Sequence, residues 1–267
     1  MKFTKMHGLG NDYVYVNTFE EEIREPKRVA RIVSDRHFGI GADGLILIGS
    51  AEEADFSMDI YNADGSRGEM CGNGIRCVAK YVYDRGMTDK EKLRIETPAG
   101  VKVLNLKVED ARVSSVEVNM GKPKFAPQKM TVKVKEKPFS LTYVSMGNPH
   151  AVMFVKDTQK FPVEKIGPLI EYNKQFPNRT NVEFCEVIDS RTLRMRVWER
   201  GTGETLACGT GACAAAVAGI LNDLTEEAVT IKLIGGDLFI KWDRQRNRVF
   251  MSGPAAFVFD GEISIDL

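Results

Sequence analysis

The 267-residue chain has no charge of either sign to spare, with 37 Lys+Arg against 37 Asp+Glu and a formal net charge of zero. Neutralising a phosphate backbone takes a basic excess, so nucleic-acid binding is disfavoured. Long hydrophobic runs are missing. The longest, Ala212 to Leu221, has ten residues, too few to span a bilayer. The N-terminal stretch MKFTKMHGLGNDYVYVN holds no apolar core of signal-peptide length. Cysteine is scarce and odd in number, five in all, which reads as free thiols in a reducing compartment and not as a disulfide framework. Histidine is scarcer, at three. The cysteine spacings C-x5-C (Cys71, Cys77) and C-x4-C (Cys208, Cys213), with no histidine close in sequence, argue against a metal site. What the chain does have is core material, 43% hydrophobic residues, which excludes global disorder. Its length suits one large domain or two of about 130 residues. The composition is that of a soluble, cytoplasmic globular protein.

Two cysteine-centred segments look alike: MDIYNADGSRGEMCGNGIRCVAKYV from Met58, and MRVWERGTGETLACGTGACAAAVAG from Met195. Cys71 and Cys208 are offset by 137 residues, and the same offset links Met58 to Met195, Asn62 to Glu199 and Asn11 to Asn148. Four widely spaced anchors in one register indicate an internal duplication of a unit of about 130 residues. In each copy an alternating run (Phe56, Met58, Ile60; Leu193, Met195, Val197) predicts a half-buried strand. A Gly-rich polar loop follows, and then a helix. In the first helix Ile75, Val78, Ala79 and Val82 fall at i, i+3, i+4, i+7. The second, from Thr210 to about Leu221, is apolar all round and so should be buried. Strand-like runs fill the rest, at 45–48, 93–97, 101–108, 115–120, 182–188, 229–234 and 238–242. The pattern is β-rich with one principal helix per repeat. The Lys- and Pro-containing stretch 121–138 reads as a linker, with the second copy beginning near Phe139.

Both cysteines thus sit at helix entrances, where unpaired N–H groups and the positive end of the helix dipole favour a thiolate. Gly72, Gly74, Gly209 and Gly211 let backbone N–H groups approach an anion closely. Two such sites related by duplication suggest opposed thiols on either side of one carbon, one removing a proton and the other returning it on the opposite face. That is stereoinversion next to a carboxylate. The pair titrates as a unit, because a second thiolate beside the first is disfavoured. No pyridoxal-type lysine motif is evident, so stabilisation of the enediolate-like charge falls to backbone donors.

At this point the residues resemble a family. NADGSRGEMCGNGIRC (62–77), ERGTGETLACGTGAC (199–213), HGLGNDYV (7–14) and GNPH (147–150) are similar to the motifs of diaminopimelate epimerase, in that family's order and over essentially the full chain. The resemblance implies an enzyme, an isomerase that interconverts LL- and meso-diaminopimelate for lysine and peptidoglycan-precursor synthesis, with no cofactor and no metal. It implies an α/β (α+β) fold of two pseudo-symmetric domains, each a β-barrel-like mixed sheet around a central helix, with the active site in the inter-domain cleft. The repeats are expected at 1–120 and 121–261, with 262–267 returning to the first. It further implies a cytoplasmic homodimer whose partner is the small-molecule substrate, with no nucleic acid and no membrane.

Carried over by position, Cys71 and Cys208 are the two acid/base groups, supported electrostatically by His150 and Glu199. The backbone at Gly72-Asn73 and Gly209-Thr210 holds the reacting carboxylate, and Asn11 contacts substrate near the reacting centre. Asn62, Asn148, Asn181, Glu199 and Arg200 recognise the distal amino-acid end. Arg200 suits a carboxylate bidentately and Glu199 an ammonium. One departure stands out: many members have Gln at the position of Gly44, so that substrate contact is absent here or taken over by Asp43.

Plainer readings stand beside these. Cys77, Cys185 and Cys213 read as small buried hydrophobes, and His7 and His37 as structural. Asn11 and Asn62 also suit turns that bond their own backbone. The Gly209-Thr-Gly-Ala-Cys-Ala string resembles a dinucleotide loop but lacks the βαβ context and the acid. The competing functions are another pyridoxal-independent amino-acid racemase or epimerase of the same fold, and a non-catalytic redox sensor with a reversible Cys71–Cys208 disulfide. A sensor has no need of the polar recognition set.

Overall fold

The computed structural model describes residues 1–265. The chain runs β1 (Lys2–Gly8), β2 (Asn11–Asn17), α1 (Pro26–Ser34), β3 (Gly44–Gly49), β4 (Phe56–Asn62), β5 (Arg67–Gly68), α2 (Gly72–Asp84), β6 (Lys92–Glu96), β7 (Lys102–Glu109) and β8 (Arg112–Gly121). It continues through β9 (Lys124–Phe125), β10 (Met130–Val134), β11 (Lys137–Ser145), β12 (Pro149–Phe154), α3 (Val163–Glu171), β13 (Asn181–Asp189), β14 (Thr192–Glu199) and β15 (Gly203–Thr205). The last elements are α4 (Gly209–Leu221), β16 (Ala228–Leu233), β17 (Gly236–Asp243), β18 (Arg248–Gly253) and β19 (Ala256–Glu262). These make two compact units, one of Met1–Val118 with the chain from Gly253 onward, the other Asn119–Ser252.

The first unit is a mixed sheet in the order β19-β1-β2-β3-β4-β6-β7-β8, with β2–β3 and β4–β6 parallel and the other pairs antiparallel. Within it α2 packs against β1, β2 and β7, while α1 lies on β2, β3 and β4. Val29, Ala30 and Val33 of α1 close over Val14, Val16 and Leu45. Ile263 and Ile265 pack against the same cluster, and the N-terminal ammonium of Met1 donates to Ile263 O at 2.8 Å. Of the segment 262–267, residues 266 and 267 lie outside the described residues.

The second unit repeats the plan in the order β10-β11-β12-β13-β14-β16-β17-β18, with β12–β13 and β14–β16 parallel. Its α4 packs against β11, β12, β13, β14, β16 and β17, so the sheet wraps round the helix. All of α4 except Thr210 and Leu221 is buried, as an all-apolar helix requires.

The register is kept closely. Helix α3 starts and ends 137 residues after α1, and α4 does so after α2. The parallel pair Tyr13↔Gly44 recurs as His150↔Asn181. Two sequence readings change. Each unit has a second helix, α1 or α3, beside the principal one. The stretch 121–138 is not a linker: it carries β9 and β10, both paired with β11, because Met130, Val132 and Val134 alternate beneath its lysines and Val132 and Val134 are buried. No helix among the described residues is long and apolar enough to cross a membrane.

Candidate active site

Each unit presents a cysteine as the N-cap of its principal helix. Cys71 (φ −131°, ψ 116°) precedes α2, and its Sγ accepts from Gly74 N at 3.3 Å. Cys208 (φ −124°, ψ 110°) precedes α4, and its Sγ accepts from Gly211 N at 3.4 Å. Extended backbone at the cap turns the sulfur back over the first turn, where N–H groups have no acceptor in a preceding turn. Gly74 and Gly211 permit that approach. A Cβ on Gly74 would lie 2.6 Å from Ile46 Cδ1, and one on Gly211 would lie 2.8 Å from Glu183 Oε1.

Around Cys71 the first unit assembles a polar cluster. Asn11, at the start of β2, places its Oδ1 3.3 Å from both Cys71 Sγ and Asn73 Nδ2, and its Nδ2 donates to Asp43 Oδ2 at 2.7 Å. Asn73 Oδ1 accepts from Arg76 Nη2 at 3.0 Å, and Arg76, fully buried, also donates to Gly72 O and Pro254 O. The Tyr13 hydroxyl is among the groups that draw the sulfur's pKa down. Asn62, at the end of β4, is instead occupied within its own turn, donating to Ser66 Oγ at 3.0 Å. Its side chain thus bonds a hydroxyl of the turn and not the turn's backbone. At Gly44 a Cβ would come 2.2 Å from Tyr61 O and 2.8 Å from Tyr13 Cε1. A glutamine does not fit this backbone, and Asp43 instead supplies the polar group beside Asn11.

Around Cys208 the second unit builds a longer network. Asn148 donates to Thr210 Oγ1 at 3.2 Å and lies 3.0 Å from His150 Nε2 through its Oδ1. His150 Nδ1 is 2.7 Å from Glu183 Oε1, and both residues are fully buried. Asn181, beside His150 on the next strand, donates to Pro149 O and accepts from Arg200 N at 2.8 Å. The Arg200 guanidinium donates to Asn178 O at 3.1 Å. Glu199 accepts from Thr205 Oγ1 and its charge bears on the Cys208 thiol, and Thr210 Oγ1 lies 3.6 Å from Cys208 Sγ.

The helix entrance favours a thiolate at each sulfur, and burial opposes it. Burial pushes the Cys71 thiol up, more than the Gly74 and Asn73 N–H groups, Arg76 and Tyr13 draw it down. Burial, followed by the charges of Glu199 and Glu183, pushes Cys208 well above the usual thiol range. Burial also raises Glu199, against the hydrogen bonds from Thr205 and Cys208. Desolvation disfavours the charged form, and here it outweighs the helix N–H groups. Cys77, Cys185 and Cys213 are buried. Burial lifts Cys77 to about 11, in keeping with a packing role.

Sequence reading missed Tyr13, Glu183 and Thr205. The 137-residue register was the available signal for the first, since it maps Tyr13 onto His150. It also maps Ile46 onto Glu183, a lone acid in the buried run Val182, Phe184, Cys185.

A probable proline racemase from Agrobacterium radiobacter superposes with a TM-score of 0.78 over 99% of this chain and 93% of its own, at 12% identity. A phenazine biosynthesis protein of the PhzF family from Bacillus anthracis does so with a TM-score of 0.75 over 99% of each chain, at 19% identity. The fold is thus the mixed α/β architecture of PhzF and proline-racemase proteins. The family profile described as Diaminopimelate epimerase matches residues 3–126 and 142–258. The diaminopimelate epimerase of Acetivibrio thermocellus is 56% identical, covering 100% of this chain and 99% of its own, and that of Methanococcus maripaludis is 52% identical over 99% and 100%. The chain belongs to the diaminopimelate epimerase family and is an enzyme of the isomerase class.

Proposed function

We propose that the protein interconverts LL- and meso-diaminopimelate, supplying lysine and peptidoglycan precursors, by transferring the α-proton between two thiols. The observation that carries the reading is the pair of cysteine N-caps, alike in backbone angles and in their i+3 sulfur hydrogen bond, 137 residues apart in a doubled chain.

Because burial raises both thiols, the resting pair is protonated at neutral pH and one proton has to leave before chemistry begins. Glu199, whose charge bears on the Cys208 thiol, is the base for that step. The Cys208 thiolate then takes the α-proton, its S–H bond forming as the C–H bond breaks, and the electron pair moves into the substrate carboxylate. First-turn N–H groups at Gly72-Asn73 and Gly209-Thr210 hold that carboxylate and stabilise the growing charge. Cys71 delivers its S–H proton to the opposite face, ending as thiolate. The reverse reaction exchanges the roles. Asn11 orients the reacting end. Asn62, Asn148, Asn181, Glu199 and Arg200 select a substrate with a second amino-acid end, and His150, paired with Glu183, steadies the negative charge of a thiolate. The enzyme works as a cytoplasmic homodimer; Val258 and Phe259, apolar residues of β19 that are about half exposed, are the surface offered to a second copy.

The test is incubation of the reduced enzyme with LL-diaminopimelate in heavy water. The meso isomer should form with deuterium at the inverted α-carbon, and Cys71→Ala and Cys208→Ala should each abolish turnover in a folded protein. No exchange with diaminopimelate alongside exchange with another amino acid would transfer the assignment to a different racemase of this fold. Near-normal turnover in either variant would contradict the two-thiol scheme.

A further inference from the structure

An asparagine amide has an accepting end and a donating end, and the end turned toward Cys71 decides which form of the sulfur it stabilises. A carbonyl accepts from the thiol S–H, whereas an NH2 group would donate to a thiolate. Asn11 turns its carbonyl, with Oδ1 3.3 Å from Cys71 Sγ.

Both ends of this arrangement are anchored by charge. Asp43, which as a carboxylate only accepts, takes the Asn11 Nδ2 group at 2.7 Å. Arg76, which only donates, takes Asn73 Oδ1 at 3.0 Å and so directs Asn73 Nδ2 onto Asn11 Oδ1 at 3.3 Å. Two amides are therefore aligned between a buried cation and an anion. Rotating either would set donor against donor and acceptor against acceptor. Asp43 is itself held: its N–H donates to Asp12 O at 2.8 Å, its Oδ2 accepts from Asp12 N at 3.2 Å, and its Oδ1 accepts from Arg36 Nη2 at 2.9 Å.

Among the described residues the second unit has no such lock. The residue 137 positions after Asp43 is Thr180, whose hydroxyl donates to Asn181 O. The counterpart of Asn11, Asn148, sends its Nδ2 to Thr210, and the carboxylate whose charge bears first on Cys208 is Glu199.

We propose that Asp43 is a positioning residue which, by fixing the Asn11 amide, holds Cys71 in its protonated form, so that the two thiols enter the reaction in unequal states set within their own units. The inference rests on the reading of Cys71 as an acid/base group. Among the described residues, the other titratable or charged groups acting with this sulfur are Tyr13 and Tyr15 from β2 and Arg76 and Cys77 from α2, and all four are retained in the variants below.

The experiment follows the pH dependence of iodoacetamide alkylation at Cys71 in the full-length enzyme, read by peptide mass spectrometry, with folding checked by circular dichroism. Asp43→Asn frees the Asn11 amide to turn, and the alkylation midpoint should fall by about one pH unit, a tenfold gain in thiolate. In an Asn11→Ala background the same change should move the midpoint by less than half as much, since it acts through the missing amide. An unchanged midpoint, or an equal shift with and without Asn11, overturns the proposal, the second result assigning Asp43 a through-space charge effect alone. Neutron diffraction from the wild-type enzyme gives an answer independent of variant folding: deuterons of Asn11 directed at Asp43 support the lock, and deuterons directed at Cys71 refute it. Alkylation needs no turnover, so a wild-type enzyme inert toward diaminopimelate would defeat the functional reading while leaving these outcomes readable.

Discussion

At Gly211 there is no space for a methyl group, because its Cβ would stand 2.8 Å from Glu183 Oε1 and 3.2 Å from Cys208 Sγ. Gly211→Ala should push the sulfur off the helix axis and lower kcat on the order of 100-fold, the scale of a small misplacement of a reacting group, with the far-ultraviolet circular dichroism spectrum retained. A normal rate would show that this packing does not position the thiol. Residues of this kind were unevenly legible. The Cys-Gly-x-Gly boxes gave away both caps, because a cysteine before glycines and a helical pattern has few other uses. Glu183 was hidden, since in isolation an acid in an apolar strand carries no mark of the histidine it meets from the neighbouring strand. The opposing effect of burial on the thiols is illegible for a similar reason: sequence locates a helix start but not how far the sulfur is covered.

Among elements, β1 and β2 are joined by charge as well as by their ladder. Lys5, nearly buried, lies 2.7 Å from Asp12 Oδ2, and Arg36 reaches Asp12 Oδ1 at 2.9 Å. Burial alone would raise the Asp12 carboxyl, but hydrogen bonds and charge from Arg36 and Lys5 overcome it and hold it below its ordinary value of 3.8. A depressed carboxylate contributes stability above its unfolded pKa and loses it as pH falls through the folded value. Asp12→Asn, which leaves Lys5 buried without that charge, should therefore cost about 3 kcal/mol at neutral pH. Chemical denaturation should show the difference from wild type shrinking only below about pH 4. A constant difference down to pH 2 would remove the ion pair as its cause. The strands were read well because their alternation is long and regular. Helices α1 and α3 escaped notice because each has nine residues, and α3 carries Pro168 in its interior, a residue that ordinarily argues against a helix. Strand β10 was obscured by Lys129, Lys133, Lys135 and Pro138, although its inward residues keep a strict period of two.

For the whole molecule, the informative fact is how the chain ends. Strand β19 pairs with β1 along most of its length, and Thr4 Oγ1 donates to Asp260 Oδ1 at 2.6 Å. Truncation after Pro254 should therefore strip the first unit of a strand and of Ile263 and Ile265. The thermal midpoint should fall by roughly 5 °C or more for a chain of this size, and an unchanged melting curve would mean that the tail contributes nothing to the unit it covers. Doubling of the chain was visible in sequence because cysteine, asparagine and methionine kept one offset, whereas the pairing of the terminal strand with β1 leaves no periodic trace. The duplicated halves have nonetheless diverged around the capping sulfurs. Tyr13 and Ile46 fill, in the first, the places that His150 and Glu183 hold in the second. A gene encoding two copies of the amino-terminal half would fold around aromatic and aliphatic fillers on both sides, and one encoding two carboxyl-terminal halves would bury two acid–imidazole couples. Neither half can stand in for the other, because the His150–Glu183 couple is encoded in the carboxyl-terminal one.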